Sequence, residues 1–180
     1  MAVMRRKNPK RVVSERDIYS CNSADELIAL AKRHGLSDVP LDVDGLIRIL
    51  NIRIRREAMD DETSGYLKRM DEHWVIGVNN LHHPRRQRFT LAHELGHFVL
   101  HQKNGREFVD KILYRNNLDS NSEEAEANVF AANLLMPEAE FRRFLSGVSD
   151  QVEDIASHFN VSALAVRIRA KNLGFSGHGL

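Results

Sequence analysis

The chain has 180 residues, of which 42% are hydrophobic and 28% charged. This composition predicts one globular unit with an ordinary core, and it excludes a disordered chain or a membrane protein. The 26 basic and 25 acidic residues nearly cancel, so strong nucleic-acid binding is not expected. A single cysteine, Cys21, excludes an internal disulfide. This lone cysteine and the lack of an apolar run after the basic N-terminus together favour a cytoplasmic protein without membrane contact.

Composition and periodicity divide the chain into three predicted segments: a basic tail over 1–22, a core over 23–146 and a C-terminal helical pair over 147–180. A first helix is predicted from Ser23, which with Glu26 has the spacing of a capping box, to Gly35. A second, shorter helix follows Asp42, where apolar residues recur at helical spacing.

Strand-like sequence follows the second helix. Ile52 and Ile54 alternate with arginines, and β-rich runs occur at 64–67 and 73–78. A small, mostly antiparallel sheet is therefore predicted. Helical periodicity then returns, and helices are predicted over 88–102, 121–136, 138–146, 151–159 and 162–172. Helices gathered around a small sheet define the α+β class.

The sequence His93-Glu94-Leu95-Gly96-His97 carries the strongest chemical signal. A helix turns about 100° per residue, so His93 and His97 lie about 40° apart and can present two imidazoles to one ion. Glu94 flanks the pair and can act as the general base for a metal-bound water without taking a coordination position. A chain of this length and composition is expected to contain roughly 0.03 such sequences by chance. The pattern therefore predicts a zinc site.

The same helix carries apolar residues on the side of the helical wheel opposite the histidines, which predicts that it packs by one face and offers its ligands from the other. These residues are Leu91, Ala92, Leu95, Phe98 and Val99. His101, one turn beyond His97, is expected to have a supporting or structural role, because a fourth ligand would close the position that hydrolysis needs.

A catalytic zinc ion needs a third protein ligand, and the helix predicted from 121 offers three glutamates. Glu126 lies about 200° round the helix from Glu124, so the two cannot serve one centre. Glu123 has the spacing of a capping residue, which leaves Glu124 as the third ligand. Asn128, one turn further on, could hydrogen-bond a liganding imidazole. The alternative is an acidic helix N-terminus without any ligand.

Two segments resemble the ImmA/IrrE family of metallo-endopeptidases: Arg86–His97 (RQRFTLAHELGH) and Glu124–Ala132 (EAEANVFAA), the latter followed by Leu134–Pro137 (LLMP). The resemblance implies a small gluzincin-like, zincin-type fold. It implies zinc ligands at His93, His97 and Glu124, with Glu94 as the base. It also implies cleavage of a helix-turn-helix repressor, which would release genes of a mobile element or a stress response.

A different class of function stays open: a non-proteolytic regulatory protein that binds a repressor or DNA. Such a protein could also belong to a toxin-antitoxin pair. Residues 152–169 have the pattern of helix, tight turn and helix. Arg167, Arg169 and Lys171 make the second helix basic, but residues 163–166 offer no side chain that reads base edges. Core packing or contact with a substrate repressor is therefore the preferred interpretation.

Weaker expectations concern the surroundings of the motif. His82 and His83 precede Pro84 in a predicted loop, where solvation alone could explain them. Asp110 could orient an imidazole, although an exposed surface position is the simpler interpretation. An extended substrate is expected to add by main-chain hydrogen bonds to the strand around 74–78.

Overall fold

A computed structural model describes residues 21–101, 108–111 and 122–175, which form seven helices and four strands. The helices are α1 (Ala24–Arg33), α2 (Val43–Ile49), α3 (Pro84–His101), α4 (Ser122–Leu135), α5 (Glu138–Gly147), α6 (Val152–Phe159) and α7 (Ala163–Asn172). The strands are β1 (Arg53–Glu57), β2 (Thr63–Met70), β3 (His73–Asn79) and β4 (Phe108–Lys111). The predicted α+β class is confirmed. The predicted tail lies outside the described residues except for Asn22 and the buried Cys21.

Helix α1 begins and ends where its sequence signals lie. Ser23 Oγ accepts a hydrogen bond from the Glu26 N–H at 3.3 Å, and Glu26 Oε2 accepts one from the Asn22 N–H at 2.6 Å. The first bond satisfies a main-chain donor that the first turn of a helix leaves unpaired, and the second joins the residue before the cap to the helix. Gly35, just past the helix, has a φ of +71°, a conformation that glycine adopts without steric cost.

The sheet has the strand order β1-β3-β2-β4. Strands β2 and β3 form an antiparallel hairpin in which Met70 faces His73 and Asp71 turns with a φ of 54°. Strand β4 pairs antiparallel with β2, whereas β1 pairs parallel with β3. The mostly antiparallel sheet was predicted, but β4 was not.

The topology corrects the expected docking strand. Strand β3, which contains residues 74–78, inserts between β1 and β2, so its main-chain groups pair on both sides. Among the described strands, the sheet edges belong to β1 and β4. The error arose because the alternation of side chains marks a strand but carries no information about its neighbours.

Helix α3 occupies the centre of the molecule. Every residue from Thr90 to Val99 is buried, including the motif residues and their apolar neighbours. Burial therefore extends around the helix, beyond the single packed face that its apolar residues predicted. The helix is buried around its circumference because the sheet covers one side of α3 and helix α4 covers another.

The start of α3 also differs from the prediction. The helix begins at Pro84 rather than at 88, in keeping with the preference of proline for the first helical position. His83 Nδ1 accepts a hydrogen bond from the Arg85 N–H at 3.2 Å, and the His82 carbonyl accepts one from Gln87 Nε2 at 2.7 Å. Both histidines thus contribute to the start of this helix.

Two glycines let α3 lie close to its neighbours. A Cβ atom at Gly65 of β2 would lie 2.5 Å from Thr90 Cγ2 and 2.7 Å from the Gly77 carbonyl oxygen. A Cβ at Gly96 would lie 3.2 Å from the Cα and the carbonyl oxygen of Ala127 in α4. The absence of side chains at these two positions sets the spacing of sheet, motif helix and glutamate helix.

The C-terminal helices pack on the end of α4. Asn160 turns the chain between α6 and α7 with a φ of 52°, and Ser162 Oγ caps α7 by accepting from the Ala165 N–H at 3.1 Å. Arg169 is buried and donates from Nε to the Met136 carbonyl at 3.1 Å. In the described ranges, no helix combines the length and the hydropathy that crossing a bilayer requires.

Candidate metal centre

The two motif histidines lie one turn apart on α3 with their rings close together. His93 and His97 are both buried, and their Nε2 atoms are 3.0 Å apart. The ring centroids are 4.7 Å apart at an interplanar angle of 81°. Both rings therefore direct the same nitrogen toward one point beside the helix.

Helix α4 brings Glu124 to the same point. Its Oε2 lies 3.2 Å from His93 Nε2, and its Oε1 lies 3.2 Å from His97 Nε2. Burial raises the pKa of this carboxyl, but hydrogen bonds from His93 and His97 outweigh burial and hold the pKa well below its usual value. Burial lowers the pKa of His97 despite the neighbouring carboxylate. An ionised carboxylate and a neutral imidazole are the protonation states in which these groups bind metals.

The donor atoms fit a tetrahedral metal ion. Zinc bonds of about 2.0–2.2 Å to nitrogen and oxygen place neighbouring donors about 3.3–3.6 Å apart in a tetrahedron. The separations of 3.0 and 3.2 Å among the three side chains are close to that spacing. Two imidazoles and a carboxylate are also the donor set of many zinc hydrolases, and three ligands leave one position for water.

Each candidate ligand histidine has its second ring nitrogen in contact with another side chain. His93 Nδ1 lies 3.2 Å from Asn128 Oδ1, and His97 Nδ1 lies 3.3 Å from His101 Nδ1. His101 Nε2 in turn lies 3.1 Å from Glu126 Oε2. Such contacts select which ring nitrogen carries the proton and fix the orientation of the ring.

Phe108 of β4 covers the other side of His97. The two rings are stacked, with centroids 4.1 Å apart and an interplanar angle of 16°. Phe108 was missed by the sequence analysis, because it lies in the unpredicted strand and no motif surrounds it. The side chain of Asp110 lies outside the described residues, and the expectation about it stays a prediction.

Glu94 belongs to α3 but not to the group of three donors. It is fully buried, and it faces β2: a Cβ placed on Gly65 would lie 3.3 Å from Glu94 Oε1. The structure thus brings together His93, His97 and Glu124, with Asn128 beside them and Glu94 adjacent in sequence to His93. A buried carboxylate next to two imidazoles of a metal site is the arrangement of a hydrolytic metal centre.

Comparison with known proteins agrees with this class of site. Residues 47–171 match the peptidase M78 family model, described as the IrrE N-terminal-like domain. The radiation response metalloprotease IrrE of Deinococcus radiodurans is 36% identical over 105 residues, which cover 51% of this chain and 29% of that protein. The metallopeptidase ImmA of Bacillus subtilis (strain 168) is 29% identical over 107 residues, which cover 57% of this chain and 59% of that protein.

A solved structure shows a similar fold. The chain titled "Mycobacterium tuberculosis transcriptional regulator" superposes with a TM-score of 0.59 at 19% identity, over 87% of this chain and 49% of that one. This chain therefore spans less than two thirds of the length of each of the three proteins.

The family model covers more than half of the chain, and it includes both helices that carry the donor residues. The chain belongs to the ImmA/IrrE family of metallopeptidases, and the resemblance noted from its two motif segments is confirmed. Membership of this family implies a divalent metal, and the His-His-Glu group is a suitable site for it.

Proposed function

We propose that the protein is a zinc-dependent endopeptidase in which His93, His97 and Glu124 hold the metal. The observation that carries the proposal is the convergence of three side chains from two adjacent helices: the Nε2 atoms of His93 and His97 are 3.0 Å apart, and each lies 3.2 Å from one carboxylate oxygen of Glu124. The pKa of Glu124 and that of His97 are both shifted toward the metal-binding protonation state. We also propose that Asn128 holds the His93 ring in the orientation that directs Nε2 at the metal.

Glu94 is proposed as the general base. Zinc, when bound, supplies a Lewis acid that acidifies water and polarises a peptide carbonyl. Glu94 accepts the proton of the attacking water and transfers it to the nitrogen of the leaving amine. Its carboxylate is fully buried where α3 lies against Gly65 of β2, which limits its access to bulk water.

A protein substrate is proposed on the basis of the family resemblance: a helix-turn-helix transcriptional repressor whose cleavage derepresses genes of a mobile element or a stress response. A cytoplasmic location suits such a substrate. We expect the substrate to bind as an extended segment that pairs by main-chain hydrogen bonds with a sheet edge. Strand β4 is the edge strand nearest the site, since its Phe108 stacks on His97.

The domain organisation completes the proposal: a basic tail over 1–22, a metallopeptidase core over 23–146 and a helical pair over 147–180 that packs on the core. The contact between Arg169 and the Met136 carbonyl and the stacking of Phe141 on Phe159, with ring centroids 5.9 Å apart, support this packing. Contacts of this kind favour a structural role for α6 and α7 over DNA binding.

The decisive experiment compares the native chain with Glu94→Gln. Each is co-expressed with a candidate helix-turn-helix repressor, and both repressor fragments and derepression are measured. Because the amide is nearly isosteric and Glu94 is not a proposed ligand, the variant should keep zinc and fold while cleavage falls by ~10²- to 10⁴-fold. Cleavage by the native chain alone supports the peptidase. Derepression by both without fragments supports the alternative, a non-proteolytic repressor-binding protein that could belong to a toxin-antitoxin pair.

A further inference from the structure

A chain of three side chains leads from the proposed metal site to the protein surface. His97 Nδ1 lies 3.3 Å from His101 Nδ1, and His101 Nε2 lies 3.1 Å from Glu126 Oε2. The His101 side chain is 8% exposed, whereas that of Glu126 is 58% exposed. The chain of contacts therefore starts at a buried imidazole and ends at a carboxylate in contact with water.

Proton positions along this chain follow from the chemistry of each contact. A carboxylate only accepts hydrogen bonds, so Glu126 favours the His101 tautomer that carries its proton on Nε2. His101 Nδ1 is then an acceptor, and the hydrogen bond to His97 forms only if His97 carries its proton on Nδ1. That tautomer leaves the lone pair of His97 on Nε2, free for a metal ion held beside Glu124, whereas without metal the Glu124 carboxylate at 3.2 Å favours a proton on Nε2.

We propose that His101 and Glu126 act together as a positioning pair, which fixes the tautomer and ring orientation of His97 for metal binding. The inference rests on the proposed function, since it assigns His97 as a ligand through Nε2. His101 is not itself a fourth ligand in this arrangement. Its Nδ1 contacts the side of the His97 ring that points away from Glu124.

The alternative is that His101 only fills space. It lies against Phe108, with centroids 5.8 Å apart, and an aromatic ring of similar size could make the same contacts. Asn128 on α4 contacts His93 and not His97, and Phe108 stacks on the face of His97 without offering it an acceptor. In the part of the chain that the structure describes, His101 is the side chain hydrogen-bonded to His97 Nδ1.

Zinc affinity, measured by competition with a chelator of known affinity, tests the pair. His101→Phe keeps the ring but removes the acceptor, and zinc binding should weaken by ~10- to 100-fold. His101→Asn places an amide oxygen near the position of Nδ1 and should recover most of that loss. Equal affinity in His101→Phe and the native chain would overturn the proposal, as would equal weakening in His101→Asn and His101→Phe when both variants are folded.

The role of Glu126 is tested by comparing the effect of Glu126→Gln on zinc affinity in two backgrounds, the native chain and His101→Asn. Glu126→Gln should weaken zinc binding in the native background, by less than His101→Phe does. It should have no effect in the His101→Asn background, where no tautomer is left to select. Glu138→Gln is the matched control, because Glu138 has a similar side-chain exposure of 53% and forms its ion pair with Arg142, away from the three proposed ligands. An equal effect of Glu126→Gln in both backgrounds would overturn the proposal.

A spectroscopic measurement separates this inference from the proposed function. Nitrogen-15 NMR of the histidine rings at mildly alkaline pH reports which nitrogen carries the proton, with or without zinc. In the metal-free native chain, His101 should carry its proton on Nε2, and Glu126→Gln should reduce that preference. A native chain that binds no zinc contradicts the proposed function, and the ring tautomers then still show whether Glu126 selects the proton position of His101. A His101 proton on Nδ1, or a tautomer insensitive to Glu126, contradicts the pair alone.

Discussion

Gly96 of α3 lies against Ala127 of α4 so closely that a Cβ atom at Gly96 would stand 3.2 Å from both the Cα and the carbonyl oxygen of Ala127. Phe130 Cδ1 lies at the same distance from that position. The contact falls between His93 and His97 along α3, and one turn after Glu124 along α4. This close approach sets the distance between the proposed histidine ligands and the carboxylate.

Enlarging Gly96 should therefore weaken both the fold and the metal site. In Gly96→Val, the added side chain meets helix backbone, which cannot move aside as a flexible side chain would, and α4 should be displaced from α3. We expect a loss of ~1–3 kcal/mol in the free energy of unfolding, measured by denaturant titration, and weaker zinc binding. Gly147→Ala is the control, since a Cβ there meets no atom within 4 Å. An unchanged zinc affinity in folded Gly96→Val would contradict this account of the spacing.

The choice of Glu124 over its neighbour is tested by a pair of alanine variants. Glu124→Ala removes one proposed ligand and should weaken zinc binding by more than the ~10- to 100-fold typical of residues that only support a ligand. Glu123→Ala should leave zinc binding intact and cost only the ~0.3–1 kcal/mol of an acidic group near a helix N-terminus. Zinc content after dialysis and thermal melting measure the two effects. The reverse pattern would transfer the ligand role to Glu123.

Acid should weaken the contacts of Glu140, which bonds to Arg143 within α5 and to His158 of α6. Glu140 lies 2.7 Å from Arg143 Nε and 2.9 Å from His158 Nε2. Hydrogen bonds from Arg143 and then from His158 outweigh burial and lower the pKa of Glu140. A carboxyl with a lowered folded-state pKa contributes stability above its ordinary pKa of about 4.5, and this stability is lost as the pH falls through the folded-state value. Glu140→Gln should thus destabilise the protein at pH 7, and the difference in stability should shrink as the pH falls below about 4.5. A stability difference that is independent of pH would refute this linkage.

Binding to DNA should be weak and independent of sequence. Arg169 is withdrawn from the basic surface of α7, where it bonds to the Met136 carbonyl, and Arg167 and Lys171 stay exposed. Two phosphate contacts give little affinity, and that affinity falls as salt rises. Fluorescence anisotropy with operator-like and random duplexes at physiological salt measures this. Tight, sequence-selective binding would favour the regulatory alternative over the peptidase.

Much of the site follows from local sequence. The four-residue spacing of His93 and His97 defines a helix face whatever surrounds it, and the angle between Glu124 and Glu126 separates their directions in the same way. Capping at Ser23 and Ser162 is equally local, since each bond joins residues three apart. Geometry of this kind depends only on helix parameters, and it could be predicted.

Other features depend on packing between segments that are distant in sequence, and residue periodicity carries no information about such packing. The insertion of β3 between β1 and β2, the burial of α3 on every side and the stacking of Phe108 on His97 all bring together residues far apart in sequence. The contact of Glu126 with His101 is of the same kind. The angle between Glu124 and Glu126 follows from the geometry of one helix. Which side chain Glu126 contacts depends on how α3 and α4 cross at Gly96 and Ala127, because the free energy of close packing selects one arrangement there.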